Sequence, residues 1–496
     1  MTLVKTSLSR VFTIEDGAGP ANVPAYQSLA RALAPSQGFG DVTPIRIPDP
    51  DQYGQFKIVD TIRGEKGLPE ITVQARYQFT ASDFLALARK GCPLDVQIHM
   101  GQCQNPADFN AGWDKILVVE EAVITQWSAG DIGALDQGED AVVNEEIPVS
   151  GRDMYEILEL LLGELGADEV HGEVVGVAIC DSIQCGICGI PSDGCQKIFA
   201  ITISQVGSPG LPAELIYSED GGVTIGETAV DTLGLAEDPT GLACVGVNLV
   251  VISNDSNSLH YAPVADILDG AEAWVEMDTG FMGGGEPNAI FSLSSMYTWI
   301  VGDGGYVYFT ADPTASVTVQ DAGIATTEIL HDVHAYDDQN VVAVGENGAV
   351  IVTSNGGDSW AEAAAIPAAT GLYAVWMKSS LEWFVGDALG SLWYTRDGGV
   401  SWTEKAFPGS GAGVIRDIVF STRTVGYMAH DTAAAAGRIL RTIDGGYSWY
   451  VLPEGPTTIP ANDYVASLAA CPEDPNIIYG GGLGEDATDG FLVKGS

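Results

Sequence analysis

The sequence predicts a mainly β chain of two domains: a small β-sandwich or tube domain with one helix over residues 1–165, then a seven-bladed β-propeller over 166–496. Three observations carry this. Glycine, the residue of tight turns, makes up 61 of 496 residues, about twice its usual share. A unit of four short β patterns recurs through the C-terminal two-thirds. The number of units multiplied by their length fills the span available.

The repeat is visible in VGDGGYVYFTADPTASVTV from Val301, VGENGAVIVTSNGGDSWAEA from Val344 and VGDALGSLWYTRDGGVSWTEK from Val385. GRILRTIDGGYSWYV from Gly437 and AELIYSEDGGVTIGET from Ala213 keep its second half. The turn residues Asp220, Asp312, Asn355, Asp397 and Asp444 are 92, 43, 42 and 47 apart. The first gap holds two periods, and its midpoint, Asp266, falls in the degenerate unit LHYAPVADILDGAEAWVEM. Four strands at a period of 40–50 residues are the mark of a propeller blade. Six units have recognisable turns, and a seventh begins at Tyr464 with only three strands. The missing strand is expected from upstream, within 154–175, closing the ring.

The turn S/T-x-D-G-G-x-S/T-W has a direct physical reading. The Asp or Asn caps backbone N–H groups of its own turn, and the glycines supply positive φ. Trp360, Trp402 and Trp449 then open the outer strand, where a large ring covers the seam between layers. These residues resemble the Asp-box, or BNR, repeat. The longer VGxxG…TxDGGxSW pattern is similar to the propellers of photosystem II assembly and stability factors, over roughly 213–450. That resemblance implies a propeller fold and a structural role for Asp220, Asn355, Asp397 and Asp444, since Asp boxes in sialidases lie away from the chemistry.

Charge narrows the function. The chain carries 21 basic and 67 acidic residues, a formal charge of −46, yet 46% of it is apolar and only 18% charged. It therefore forms cores and is not a disordered acidic tail. Clustered Lys and Arg, the requirement for reading nucleic acid, are missing, and docking on anionic lipid is disfavoured likewise. No apolar run reaches the length of a membrane span. The opening MTLVKTSLSRVFTIEDGAG lacks a continuous apolar core and a cleavage site, so no secretory signal is expected. The charge is uneven: residues 1–165 sum to −12 and 166–496 to −34.

No catalytic set emerges, and no enzyme or cofactor is expected. Sialidase chemistry needs three converging Arg, and the propeller region has five in all: Arg396, Arg416, Arg423, Arg438 and Arg441. Only Arg416, on an innermost strand, is placed to face the axial channel. His331 and His334 are three apart on a strand, so they point to opposite faces and make a poor metal pair. Trp274, Trp299, Trp376, Trp383 and Trp393 read as blade packing in preference to sugar platforms. Cys180, Cys185, Cys188 and Cys195 fall in one loop between the first two strands of the propeller, with spacing C-x4-C-x2-C-x6-C. Two disulfides stapling that loop are the favoured reading; a zinc knuckle and free thiols are the alternatives. Cys92, Cys103, Cys244 and Cys471 stand isolated.

In residues 1–165, strands are expected at 55–63, 70–79, 94–100, 115–128 and 141–149, with a helix at 80–90 (TASDFLALARK) whose apolar face is Phe84, Leu85, Leu87 and Ala88. GEKGLPEITV from Gly64, the helix after it and a terminal hairpin ending in IPVSG resemble the tail-tube proteins of long-tailed bacteriophages, over about 110 residues. That resemblance implies a structural virion protein. Homo-hexameric rings would stack into a tube beside other tail proteins and conduct DNA without binding it. The propeller would be displayed outside for contact with a host-surface glycan or protein. An anionic lumen suits a sliding polyanion. The alternative is a soluble propeller serving as an interaction or assembly module; a glycan-binding or glycan-processing protein ranks third.

Overall fold

The computed structural model describes residues 9–15, 25–37, 42–48, 56–63, 69–76, 94–100, 115–124, 128–129, 144–165, 173–180, 195–203, 214–229, 239–253, 258–270, 274–277, 285–366, 370–432, 437–453, 459, 463–483 and 490–495. The chain divides into two compact units, Met1–Glu159 and Leu160–Ser496. The division falls a few residues before the expected one at 165/166, because Leu162–Leu165 hydrogen-bonds into the second unit.

In the first unit six strands form a closed antiparallel circuit. Ser9–Glu15 pairs with Ala25–Gln37, which pairs with Pro69–Arg76, and that with Asn144–Ser150. Lys115–Ile124 joins Asn144–Ser150 to Leu94–Met100, which returns to Ser9–Glu15. Lys115–Ile124 serves three partners because Glu121 takes φ 46°, bending the strand after its pairing with Asp153–Leu158. Val42–Pro48 and Phe56–Arg63 form a separate hairpin. The three strands before residue 50 were not expected from sequence. AYQSLARALAPSQ is poor in β-branched residues, and its pairing on both sides overrides that local preference. The expected helix at 80–90 lies outside the described residues.

The second unit contains seven four-stranded sheets among the described residues, each a run of antiparallel neighbours in chain order. Their innermost strands are Val174–Ile179 (sheet I), Pro239–Val245 (II), Pro287–Ser294 (III), Leu330–Ala335 (IV), Leu372–Met377 (V), Ile415–Phe420 (VI) and Val465–Ala470 (VII). Each lies beside the next, and that of sheet VII lies beside that of sheet I, the arrangement of a β-propeller. Sheet VII takes its outer strand from Leu162–Leu165, bonded to Gly490–Gly495. Its chain order is thus broken at one place only. Among the described residues no helix is long and apolar enough to cross a membrane.

The cores lie between sheets. Trp299 and Val301 of sheet III pack with Val341, Ala343 and Trp360 of sheet IV. Phe384 and Tyr394 of sheet V pack with Phe420, Met428 and Trp449 of sheet VI. Trp360 and Trp449 therefore cover seams between neighbouring sheets. Trp402 is half-buried and donates its indole N–H to Ala364 O, 2.8 Å away. Removing such a ring leaves a cavity worth about 3–5 kcal/mol. Trp299, Trp383 and Trp393 are likewise buried.

The turns at the outer hairpins follow one plan. Asp220, Asn355, Asp397 and Asp444 each accept the backbone N–H of the residue four positions on, at 2.8–3.1 Å. A Ser or Thr two residues earlier accepts the N–H of the second glycine, at 2.8–3.0 Å. Both glycines take positive φ, 68–73° and 79–92°. A carbonyl of the glycine pair then bonds back to the preceding sheet: Gly221 O to Lys494, Gly356 O to Gln320, Gly399 O to Ala364 N, and Gly445 O to Lys378. At Asp266 the expected turn is replaced by a short helix, Val264–Leu268, that buries Ile267.

The cysteine expectation is corrected. Cys180 is bonded to Cys244, with Cα atoms 5.5 Å apart, and Cys195 to Cys471, 5.8 Å apart. Of the four cysteines expected to staple one loop with two disulfides, Cys180 and Cys195 instead join sheet I to its neighbours: sheet II in the first case, sheet VII in the second. The partners are 64 and 276 residues distant in sequence and meet only because the sheets do. Cys185 and Cys188 lie outside the described residues. Bridges of this kind are worth about 2–4 kcal/mol each. Chemical reduction is therefore expected to lower the thermal midpoint measurably, and Cys471→Ser should reproduce the part due to the bond between sheets I and VII. An unchanged melt on reduction would count against both bridges.

Candidate functional site at the mouth of the axial channel

Every innermost strand carries a β-bulge at the same place, immediately after its first residue. The register skips Val175, Thr240, Asn288, His331, Tyr373, Arg416 and Ala466 in sheets I to VII. A bulge re-aims the unpaired side chain, and all seven line one central cavity of about 370 Å3. The bulged positions sit at the start of each innermost strand, beside the turn that ends its second strand. This is the end of the ring opposite the Asp-Gly-Gly turns.

The mouth is built from three groups of contacts. His331 Nε2 lies 3.0 Å from Glu346 Oε1, and its ring stacks on Tyr373 at 4.5 Å and 11°. Tyr373 also reaches the Glu346 carboxylate, and burial with that neighbouring charge raises its pKa. Arg416 Nε donates to Asp431 Oδ2 at 2.8 Å, and the guanidinium lies over the Tyr464 ring, 3.8 Å from its centroid. Tyr464 in turn donates to the Glu173 carboxylate. Asn288 donates to Asp303 Oδ1 and Leu330 O, at 2.9 and 3.1 Å, bridging sheets III and IV.

One residue deeper lie Asp332, Asp417 and Ser467, each hydrogen-bonded to the next innermost strand. Asp332 Oδ2 accepts from Val375 N and Asp417 Oδ2 from Leu468 N, both at 2.7 Å, and Ser467 Oγ from Val177 N at 3.1 Å. Burial within the ring raises the Asp417 carboxyl to about 7. Burial raises Asp332 as well, well above the usual carboxylate range, and the neighbouring charge of Asp417 adds to that. Deeper still, His334 is held between Phe291 and Trp376 and accepts Met377 N at 3.2 Å; burial lowers it to about 3, so it stays neutral.

Of the sequence candidates, Arg416 does line the channel, and none of the other four propeller arginines does so. His331 and His334 are not brought together: the first stands at the mouth, the second in the wall. Trp376 also lines the wall, and Trp274 packs at the edge of the core shared by sheets I and II. Asp220, Asn355, Asp397 and Asp444 all lie at the far end, in turns. Among the described residues no three His, Cys, Asp or Glu are grouped to hold a metal ion. Sequence reading missed Tyr373, Asp332 and Asp417. The signal that locates them is the internal alignment of the first strands, where a variable second position precedes a Gly, Ala, Ser or Asp.

No protein-family model and no curated protein sequence matches the chain. Solved structures do. YCF48 from Cyanidioschyzon merolae aligns over 67% of this chain and 98% of its own, at 14% identity and a TM-score of 0.51. YCF48 bound to D1 peptide aligns over 68% and 97%, at 14% and 0.49. Virginiamycin B lyase from Staphylococcus aureus aligns over 68% and 99%, at 13% and 0.49. At these identities the likeness of the first shows the propeller fold alone.

The Asp417 carboxyl gives a test of the channel's interior. The unfolded chain ionises this group near 3.8 and the folded chain near 7, so the folded state holds the extra proton between them. Its cost is absent below about pH 4 and grows as pH rises through that window. In Asp417→Asn the loss of stability from pH 5 to 8 is expected to be smaller than in the wild type by on the order of 2 kcal/mol, measured by denaturant unfolding at each pH. Parallel profiles would place the carboxyl in ordinary solvent.

Proposed function

We propose that the chain is a non-enzymatic interaction module. Its second unit is a seven-bladed propeller, closed by Leu162–Leu165, that engages a partner at the channel mouth. The observation carrying this reading is the set of bulges. One backbone device, repeated in all seven sheets, presents seven different side chains, Val, Thr, Asn, His, Tyr, Arg and Ala, around one concave opening. A frame that is constant where it packs and variable where it opens is the design of a recognition surface.

Selection of a random-peptide library on the full chain tests it. Enriched peptides should share a motif and lose binding at least tenfold on Arg416→Glu and on His331→Ala. They should be indifferent to Val400→Asp at the opposite end. Binding untouched by the mouth substitutions would reject the reading.

A second reading concerns the first unit as a tail-tube subunit of a virion, in hexameric rings that conduct DNA. What favours it is the closed six-strand circuit with a hairpin of its own, Val42–Pro48 with Phe56–Arg63; a lone two-stranded hairpin is marginal in water and gains from docking on another chain. None of the proteins matched above is a tail-tube protein. Negative-stain images of the full chain should show stacked six-fold rings, and a dispersed monomer at high concentration would remove this reading.

A further inference from the structure

Arg416 is the most constrained cation at the mouth, and it is incompletely used. Its Nε is taken by Asp431, which is itself buried, and its flat face is covered by Tyr464. Among the described residues its two terminal amino groups have no partner, while the side chain lines the cavity. A guanidinium offers a planar fork that matches a carboxylate with two parallel hydrogen bonds. Here the fork is held before any ligand arrives, so little conformational freedom remains to be lost on binding.

What lies beneath Arg416 restricts the ligand further. The next residue of the same strand is Asp417, and Asp332 holds the same position, one after the bulge, on the innermost strand of sheet IV. Both line the cavity, as do Tyr373 and Trp376 on its wall. Two carboxyl groups at this depth disfavour a second anion, and a neutral tail offers their oxygens no charge to pair with. A cation pairs with them as carboxylates, and passes aromatic faces on the way in.

We propose that the mouth binds a carboxylate joined to a cation by a short flexible chain, with Arg416 receiving the carboxylate and Asp332 with Asp417 receiving the cation. A free basic amino acid has this chemistry, and so does the C-terminal Lys or Arg of a polypeptide. The inference rests on the mouth being the binding site and adds the class of ligand it takes.

Isothermal titration of the full chain decides the matter with four probes: L-lysine, L-norleucine, a hexapeptide ending in lysine, and the same peptide amidated. Lysine or the free-acid peptide is expected to bind at least tenfold tighter than its control, norleucine or the amide. Tighter binding by the peptide identifies a chain terminus as the source, and tighter binding by lysine a free amino acid. Arg416→Gln should abolish the preference for the free acid. Arg416→Lys, which keeps the charge beside Asp431 without the fork, should weaken binding at least tenfold if the glutamine variant melts too low to use. Asp332→Asn with Asp417→Asn should equalise lysine and norleucine. Equal binding within both pairs by the wild type, lysine with norleucine and free acid with amide, no binding of any probe, or binding of the preferred probe unchanged in both Arg416 variants overturns the proposal. Library peptides that compete at the mouth without a basic C-terminus would overturn it too, yet leave the mouth as the binding site.

Discussion

A four-stranded sheet cannot keep its own two faces dry. Each sheet of the second unit needs a neighbour on both sides, and the need is met only when the last sheet reaches the first. Everything else depends on that closure. Large side chains fill the seams; the innermost strands are tied at the channel by Asp332, Asp417 and Ser467. At the other end the glycine carbonyls of the turns are tied by donors from the preceding sheet. Among the described residues, sheet I, which the last sheet reaches to close the ring, is also fixed covalently on both sides.

The same turn chemistry gives opposite electrostatics according to depth. Asp220 accepts hydrogen bonds from Thr224 in open solvent and is held down at about 2. Asp444 accepts an equivalent set from Ser448 and Thr442, but it is buried, and burial raises it. Hydrogen bonds favour the charged form in both; desolvation decides the sign in the second. A motif thus specifies a turn's shape without specifying its charge state. The acidic mouth residues, whose environments differ from sheet to sheet, cannot be read from a shared pattern either.

The legible parts of the fold were those written locally. Two glycines with positive φ after an Asp, a period of 42–47 residues and four short apolar runs per unit are properties of neighbouring residues. Cys180 and Cys195 looked like one cluster because sequence shows only distance along the chain; their true partners are set by which sheets abut. Asp266 had the right spacing but sits in PVADIL, whose apolar Val264, Ile267 and Leu268 suit a helical turn packed inward. At the mouth, Arg416 could be singled out because its strand was recognisably innermost. Tyr373 could not, and His331 was weighed only as a metal ligand, because a bulge changes which way a residue points without leaving a signature in the residue itself.

The bond from Cys195 to Cys471 has a consequence for the chain as an object cut by proteases. The two cysteines enclose nearly all of sheets I to VI, so one cleavage anywhere between them yields two fragments that remain a single covalent molecule. The seams and channel ties hold the cut ends in place as well. The chain between the two cysteines can therefore be nicked without the loss of a fragment, each nick adding only a water, and the pieces separate only once the disulfide is opened.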